Sequence, residues 1–364
     1  MRVRPGVITR ACVAPAAALL LLCVLPPIAA AQSPSEPQEQ PEGIPETREP
    51  VLIRAFGAVE WDATQEPDVP NSFALGQFSL FLTSNLSERI SVLAEIVLEG
   101  STGTRVVTDL ERLQLTFRLD DHLQVTAGRF HTGVGFYNAA FHHGAFFETL
   151  IGRPRVYRFE DEGGVLPVHD VGVSVRGAVP GTGLALRYLA EIGNGRTWES
   201  TQEHETLDNN AAKAVNVGLT YRVPRMGGLE IGASYYRDTL VDPSALGIAH
   251  TIGVAYAVYR TPAAEVMVEW LRLTHDTGGG YTTDAGYAQL SKTFGSFKPY
   301  YRYDRLAVAP GTPFIGPLGS YKGHTIGLRF DPAAWLGLKA QYERTDEAEL
   351  RGIDAVRTQL VFVF

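Results

Sequence analysis

Apolar and polar residues alternate one for one along much of this chain. Over residues 356–364, Val356, Leu360, Phe362 and Phe364 share one face, and Arg357 and Gln359 share the other. The same period of two sets Ile90, Val92, Ala94, Ile96 and Leu98 against Arg89, Ser91, Glu95 and Glu99. It sets Leu113, Leu115, Phe117 and Leu119 against Arg112, Gln114, Thr116 and Arg118. Later, Val215, Val217, Leu219, Tyr221 and Val223 oppose Asn216, Thr220 and Arg222, while Ile326, Leu328 and Phe330 oppose Thr325 and Arg329. A period of two is that of a β-strand with two different surroundings. Arginine and glutamate are costly beside hydrocarbon but ordinary beside water, so these strands fit a wall that is wet on one side and apolar on the other.

Turn-forming residues cut the stretch from residue 51 onward into sixteen such strands. Tight turns are expected at 84–88, 119–122, 178–182, 223–228, 260–264, 294–297 and 331–335. Longer connections are expected at 62–71, 99–109, 132–165, 193–213, 238–248, 275–281, 306–321 and 344–352. The two kinds interleave, which puts both ends of the region on the tight-turn side. The predicted fold is all-β: a transmembrane antiparallel barrel of about sixteen strands over 51–364, with short periplasmic turns and long external loops. A soluble β-sandwich has the same alternation, but the number and length of the strands favour the closed barrel. Tyr235, Tyr256, Tyr301, Tyr303, Trp335 and Tyr342 fall near strand ends, on the expected lipid face, where interfacial aromatic belts lie.

Residues 1–31 read as a secretory signal: Arg2, Arg4 and Arg10, an apolar run over 13–25, then Ala29, Ala30 and Ala31 before Gln32. Cys23 raises lipidation, but Leu22 before it is bulkier than that reaction usually takes. Both cysteines, Cys12 and Cys23, belong to the signal, so disulfides play no part in the expected mature fold. Residues 32–50 hold five prolines and five glutamates without apolar periodicity, as a flexible leader would. Three of the 32 basic residues fall in the signal, leaving 29 against 40 acidic and a formal charge of −11. That balance excludes nucleic acid as a partner. Beyond the signal, no apolar run approaches the length of a membrane helix. The expected location is the outer membrane of a Gram-negative cell, in contact with its lipid.

The longest connection is rich in aromatics: Gly133, Gly135, Phe136, Tyr137, Phe141, His142 and His143 all lie within a dozen residues. A loop so apolar is expected to fold inward, with Phe136, Tyr137, His142 and His143 packing on the wall and narrowing the passage. Gly128–Arg129–Phe130, Thr132, Gly135 and Asn138, followed by His142–His143–Gly144 and Arg153–Pro154, resemble the family of porins typified by the phosphate-selective porins O and P. Ser72–Phe73, Leu93–Ala94–Glu95–Ile96 and the run Glu191–Ile192–Gly193–Asn194–Gly195–Arg196 add to the likeness. The resemblance covers the first half of the barrel well and the second mainly through strand pattern. It departs at 133–135, where many relatives carry a proline. The resemblance implies sixteen strands and a homotrimer of pores. It does not imply phosphate, because lysine-rich anion paths are typical there and this chain has five lysines: Lys213, Lys292, Lys298, Lys322 and Lys339.

Arginine carries most of the positive charge and binds anions through a rigid fork. Arg153, Arg155 and Arg158, just before Glu160, Asp161 and Glu162, are candidates for a constriction with a transverse field. An ion-paired loop base is the alternative. Arg129 and the strand arginines Arg112, Arg118, Arg187, Arg302 and Arg329 would extend the solute path, while Glu95, Glu191, Glu265, Glu269 and Glu343 dilute its charge. His142 and His143 point opposite ways in an extended segment, without other ligands at metal spacing, so no metal or cofactor is expected. No Gly-x-Ser-x-Gly occurs, although His169–Asp170 and His275–Asp276 could serve a barrel lipase or protease, the enzyme alternative. A structural or adhesive barrel is the third reading. The expected role is passive diffusion of small hydrophilic solutes, with anions such as phosphate among the candidates.

Overall fold

A computed structural model of the chain describes residues 51–67, 69–100, 106–141, 144–160, 164–198, 210–315, 318–348 and 350–364. The signal, the leader, His142, His143, Asp161 and Glu162 lie outside these residues. Among the described residues sixteen strands form one closed antiparallel barrel, each paired with its neighbours in sequence. The first four are β1 (Leu52–Thr64), β2 (Ser72–Asn85), β3 (Ile90–Gly100) and β4 (Val106–Arg118). β5 (Gln124–His131), β6 (His169–Ala178), β7 (Leu186–Gly193) and β8 (Ala214–Arg222) follow. Next come β9 (Leu229–Val241), β10 (Gly247–Arg260), β11 (Ala264–Asp276) and β12 (Tyr281–Lys292). β13 (Phe297–Ala307), β14 (Tyr321–Ala333), β15 (Leu336–Glu347) and β16 (Leu350–Val363) complete the wall. Closure is made by β1 on β16, with Phe56 opposite Val363 and Glu60 opposite Gln359. Ladder hydrogen bonds thus join each strand to a neighbour on both sides and leave no open sheet edge, which hydrocarbon demands.

The outer face carries Leu115, Val173, Val217, Val268, Trp270, Ile326, Leu338 and Leu360, all exposed. They form the apolar band that lipid would cover. In β16 the alternation is as expected, with Leu360 outward and Gln359 and Val361 buried.

Several expected loops are shorter than the sequence suggests, among them 62–71 and 99–109, where strands run to Thr64 and resume at Val106. Those at 238–248, 275–281 and 344–352 shrink to 242–246, 277–280 and 348–349. Cross-strand ion pairs carry the hairpins onward, Arg272 to Asp284 at 2.9 Å and Arg344 to Asp354 at 3.2 Å. Turn-forming residues at these loop edges are paired strand instead.

A second departure concerns the inner face. Tyr256, expected on the lipid side, points inward and shares a hydrogen bond of 2.6 Å with Thr220. On β10 and β11 the inward set is mostly apolar: Ile252, Val254, Val258, Met267, Leu271 and Leu273 are buried, with His250, Glu265, Glu269 and His275 among them. They pack against Val134, Tyr137, Phe141, Val156, Tyr157, Val165 and Leu166 of the connection between β5 and β6. That connection, residues 132–168, folds into the barrel and supplies the apolar partner that makes such a lining stable. A short helix, α1 (Phe136–Ala140), and a 3-10 turn (Arg155–Tyr157) are its regular pieces.

Candidate functional site

The inward loop is held to the wall by a set of buried polar side chains. Glu269 of β11, 2% exposed, accepts the backbone N–H of Phe136 at 2.7 Å and of Tyr137 at 2.8 Å. The Tyr157 and Tyr287 hydroxyls donate to the same carboxylate at 2.8 and 2.7 Å. Gly135, at φ 80, lets the chain turn into this contact; a Cβ there would sit 1.9 Å from the Tyr157 hydroxyl oxygen. Burial pushes the Tyr137 and Tyr157 phenols well above their ordinary value of 10.0, with Glu148 and Glu269 adding to it respectively.

Further along the wall, on β15, Gln341 accepts from the N–H of Ile151 at 2.9 Å and donates to its carbonyl at 3.0 Å. Arg302 donates to the carbonyls of Gly152 and Arg153, Arg329 to those of Phe146 and Glu148, and Lys339 to those of Ala145 and Leu150. These side chains satisfy loop carbonyls that would otherwise be buried without partners.

The neck of the loop is closed by Asn138 and Glu160. The Asn138 amide donates to the carbonyls of Thr132 and Val168, one at each end, at 2.9 and 3.1 Å. Glu160 accepts the backbone N–H of Val168 at 2.6 Å and of His169 at 3.1 Å. Burial opposes its charge, but the His169 ring, its hydrogen bonds and Arg196 outweigh that and hold the carboxyl down to about 2.

The loop leaves distinct cavities in the lumen. One of about 860 Å³ opens toward the tight-turn end and is lined by Arg176, Arg187, Arg222, Arg260 and Lys298 against Glu230 and Glu265. A second, of about 380 Å³, lies on the other side of the loop, with Arg153, Arg155, Arg158, Arg302 and Arg357 against Glu60 and Glu343. Each holds five cationic and two acidic side chains among the described residues. A third, of about 260 Å³, has the opposite balance, with Glu60, Glu99 and Glu148 against Arg153. Each cavity mixes cationic side chains with carboxylates, the cations in excess in the two larger ones and the acids in the third.

The structure sorts the sequence candidates by position. Arg187 lines the large cavity and Arg155 and Arg158 the second. Arg153 and Arg302 line the second as well, while holding loop carbonyls and, for Arg153, the Asn138 side chain at 3.1 Å. Arg112 is buried in a pair with Glu95 at 2.5 Å, and Arg129 packs in the wall, donating to the Glu111 carbonyl at 3.1 Å. Arg118 sits at the β4–β5 turn, 61% exposed and paired with Asp121, and lines none of these three cavities. Phe136 packs beside Tyr256 and Tyr137 stacks near Tyr157, as loop packing requires. Of the proposed enzyme neighbours, His169 takes Glu111 and Glu160, whereas Asp170 takes the N–H of Val171 and Gly195.

Arg176, Arg222, Arg260, Lys298 and Arg357 were not singled out for the solute path. Alternation alone places Arg176 and Arg222 opposite apolar neighbours, so that signal was present. Alternation places Glu269 on the lumen side, but its anchoring role, like that of Gln341, has no local signal, because it depends on where a distant loop lands.

Similarity in structure adds to this picture. No family model matches the chain, and no curated protein matches its sequence. Among solved structures, OmpF of Salmonella typhi aligns over 86% of this chain and 97% of its own, with TM-score 0.63 and 11% identity. The anion-selective porin from Comamonas acidovorans aligns over 86% and 99%, with TM-score 0.61 and 12% identity. OmpT of Vibrio cholerae, in its trimer form, aligns over 86% and 99%, with TM-score 0.58 and 12% identity. The chain has the fold of these outer-membrane barrels: multi-pass, sixteen-stranded and apolar outside.

Proposed function

We propose that the chain is a porin of the outer membrane, exported by the signal at 1–31, that admits small hydrophilic solutes by passive diffusion and favours anions. The observation that carries this reading is the excess of cations in both larger cavities, on either side of a loop that narrows the passage. Arg158, Arg176 and Arg187 matter most, because none forms an ion pair among the described residues and each lines a cavity. An unpaired guanidinium in a confined, low-dielectric lumen attracts anions more strongly than one already neutralised. No covalent step is involved; selection is by width and field. The relationship to the phosphate-selective porin O and P family and a homotrimeric assembly are part of the same proposal. The first is supported by the loop motifs and the second by the trimer form of the structurally similar OmpT.

The test is the reversal potential of the refolded protein in planar bilayers under a salt gradient. Anion preference is expected, and it should fall in Arg158→Ala with Arg176→Ala and Arg187→Ala. Cation preference that those changes leave alone overturns the anion reading; absence of channels overturns the porin reading.

A further inference from the structure

We infer that Glu111, His131 and His169 form a binding site for a borderline divalent transition-metal cation, of the zinc type, at the neck of the inward loop. The three residues are far apart in sequence but come from three neighbouring strands. His131 and His169 are direct register partners on β5 and β6. Glu111 reaches the same row through a β-bulge: the register of β4 on β3 shifts between the partners of Glu95 and Ile96, and Glu111 is the residue passed over. A bulge of this kind re-aims side chains, and here Glu111 and Arg112 are both buried instead of alternating.

One ligand atom from each residue lies within 4.8 Å of the others. Tetrahedral coordination at about 2.0–2.2 Å would bring such atoms to roughly 3.4 Å apart, a movement of about an ångström for side chains in a row. The Glu111 and His131 side chains are buried, and that of His169 is 8% exposed.

The placement of the three buried side chains is what suits a cation. The Nδ1 of His169 meets Glu160 Oε2 at 3.2 Å, and Phe159 stacks on the ring at 5.8 Å. A carboxylate on the far nitrogen of an imidazole orients the ring and aims Nε2 at its front partner, as around bound zinc. That front partner is the Glu111 carboxylate, in direct contact with Nε2. A proton on Nε2 bridges this contact, and a metal cation binding the three close ligand atoms would displace it. Two imidazoles and one carboxylate, with a second carboxylate behind, suit zinc and its neighbours; calcium and magnesium prefer all-oxygen sets. A cation there would tie β4, β5 and β6 together where the loop departs and returns.

The experiment is titration calorimetry of the folded, detergent-solubilised barrel with Zn²⁺, alongside zinc-edge X-ray absorption of the loaded wild type. One equivalent per barrel is expected, with imidazole nitrogen in the first shell and no competition from equimolar Ca²⁺. Glu160→Gln should weaken binding about 10- to 100-fold and His131→Ala should abolish it, each with normal heat-modifiable migration, whereas His324→Ala should bind like the wild type. No stoichiometric zinc, an all-oxygen first shell, or unchanged affinity in both Glu160→Gln and His131→Ala would overturn the assignment and leave a proton as the only cation in the row.

Discussion

The position of the inward loop depends more on Glu269 than on any other single side chain. Its two carboxylate oxygens each accept two donors: Oε1 from the Tyr137 N–H and the Tyr287 hydroxyl, and Oε2 from the Phe136 N–H and the Tyr157 hydroxyl. Glu269→Gln preserves shape and volume. Whichever way the amide turns, its NH2 then confronts two donors, so two bonds are lost and their donors are left buried. Hydrogen bonds to a charged group contribute about 1.5–3 kcal/mol each, and relaxation of the tyrosine hydroxyls recovers part, so loop docking should lose about 2–4 kcal/mol. That corresponds to about a 30- to 900-fold rise in the undocked population. Hydrogen exchange of the Phe136 and Tyr137 amides should accelerate accordingly, and single channels should become noisier. The strand ladders are not involved, so heat-modifiable migration should be unchanged. If a folded Glu269→Gln barrel exchanges these amides within about threefold of the wild-type rate, the loop is held elsewhere and the reasoning fails.

Gly135→Ala should loosen the same contact, because a Cβ at φ 80 would fall 1.9 Å from the Tyr157 hydroxyl oxygen and 2.6 Å from Glu269 Oε2; exchange at Phe136 reports it, with about 1–3 kcal/mol lost. The phenols of Tyr137 and Tyr157 are raised in the folded loop, so their contribution is fully present below pH 10 and is lost as pH climbs above it. Tyrosinate absorbance should therefore show a resistant set of tyrosines, Tyr137 and Tyr157 among them, of which these two ionise only as the loop releases; simple titration of every tyrosine near pH 10 would contradict this. Arg118→Ala, at an exposed turn pair, should leave reversal potential and stability within about 0.5 kcal/mol of wild type, as measured by bilayer recording and denaturant unfolding.

The strands could be read from the chain because lipid and water impose different costs on alternate residues. That contrast is local, and it marks Leu113 against Gln114, or Leu360 against Gln359, without reference to anything distant. Strand number, closure and the inward fold of the aromatic loop follow from it together with connection length and composition. The reading failed where a third environment intervened. On β10 and β11 the loop makes the lumen side mostly apolar, so Tyr256 could not be told from a lipid-facing tyrosine, and Ile252, Met267 and Leu271 have no polar face to oppose. The grouping of Glu111 with His131 and His169, the four donors on Glu269, and the division between arginines that line cavities and those that hold carbonyls were decided only by the folded barrel. Each depends on register, on one bulge and on where a connection of 132–168 comes to rest. Periodicity encodes which medium a residue faces, whereas the identity of its neighbour across the lumen is a long-range contact that no local pattern contains.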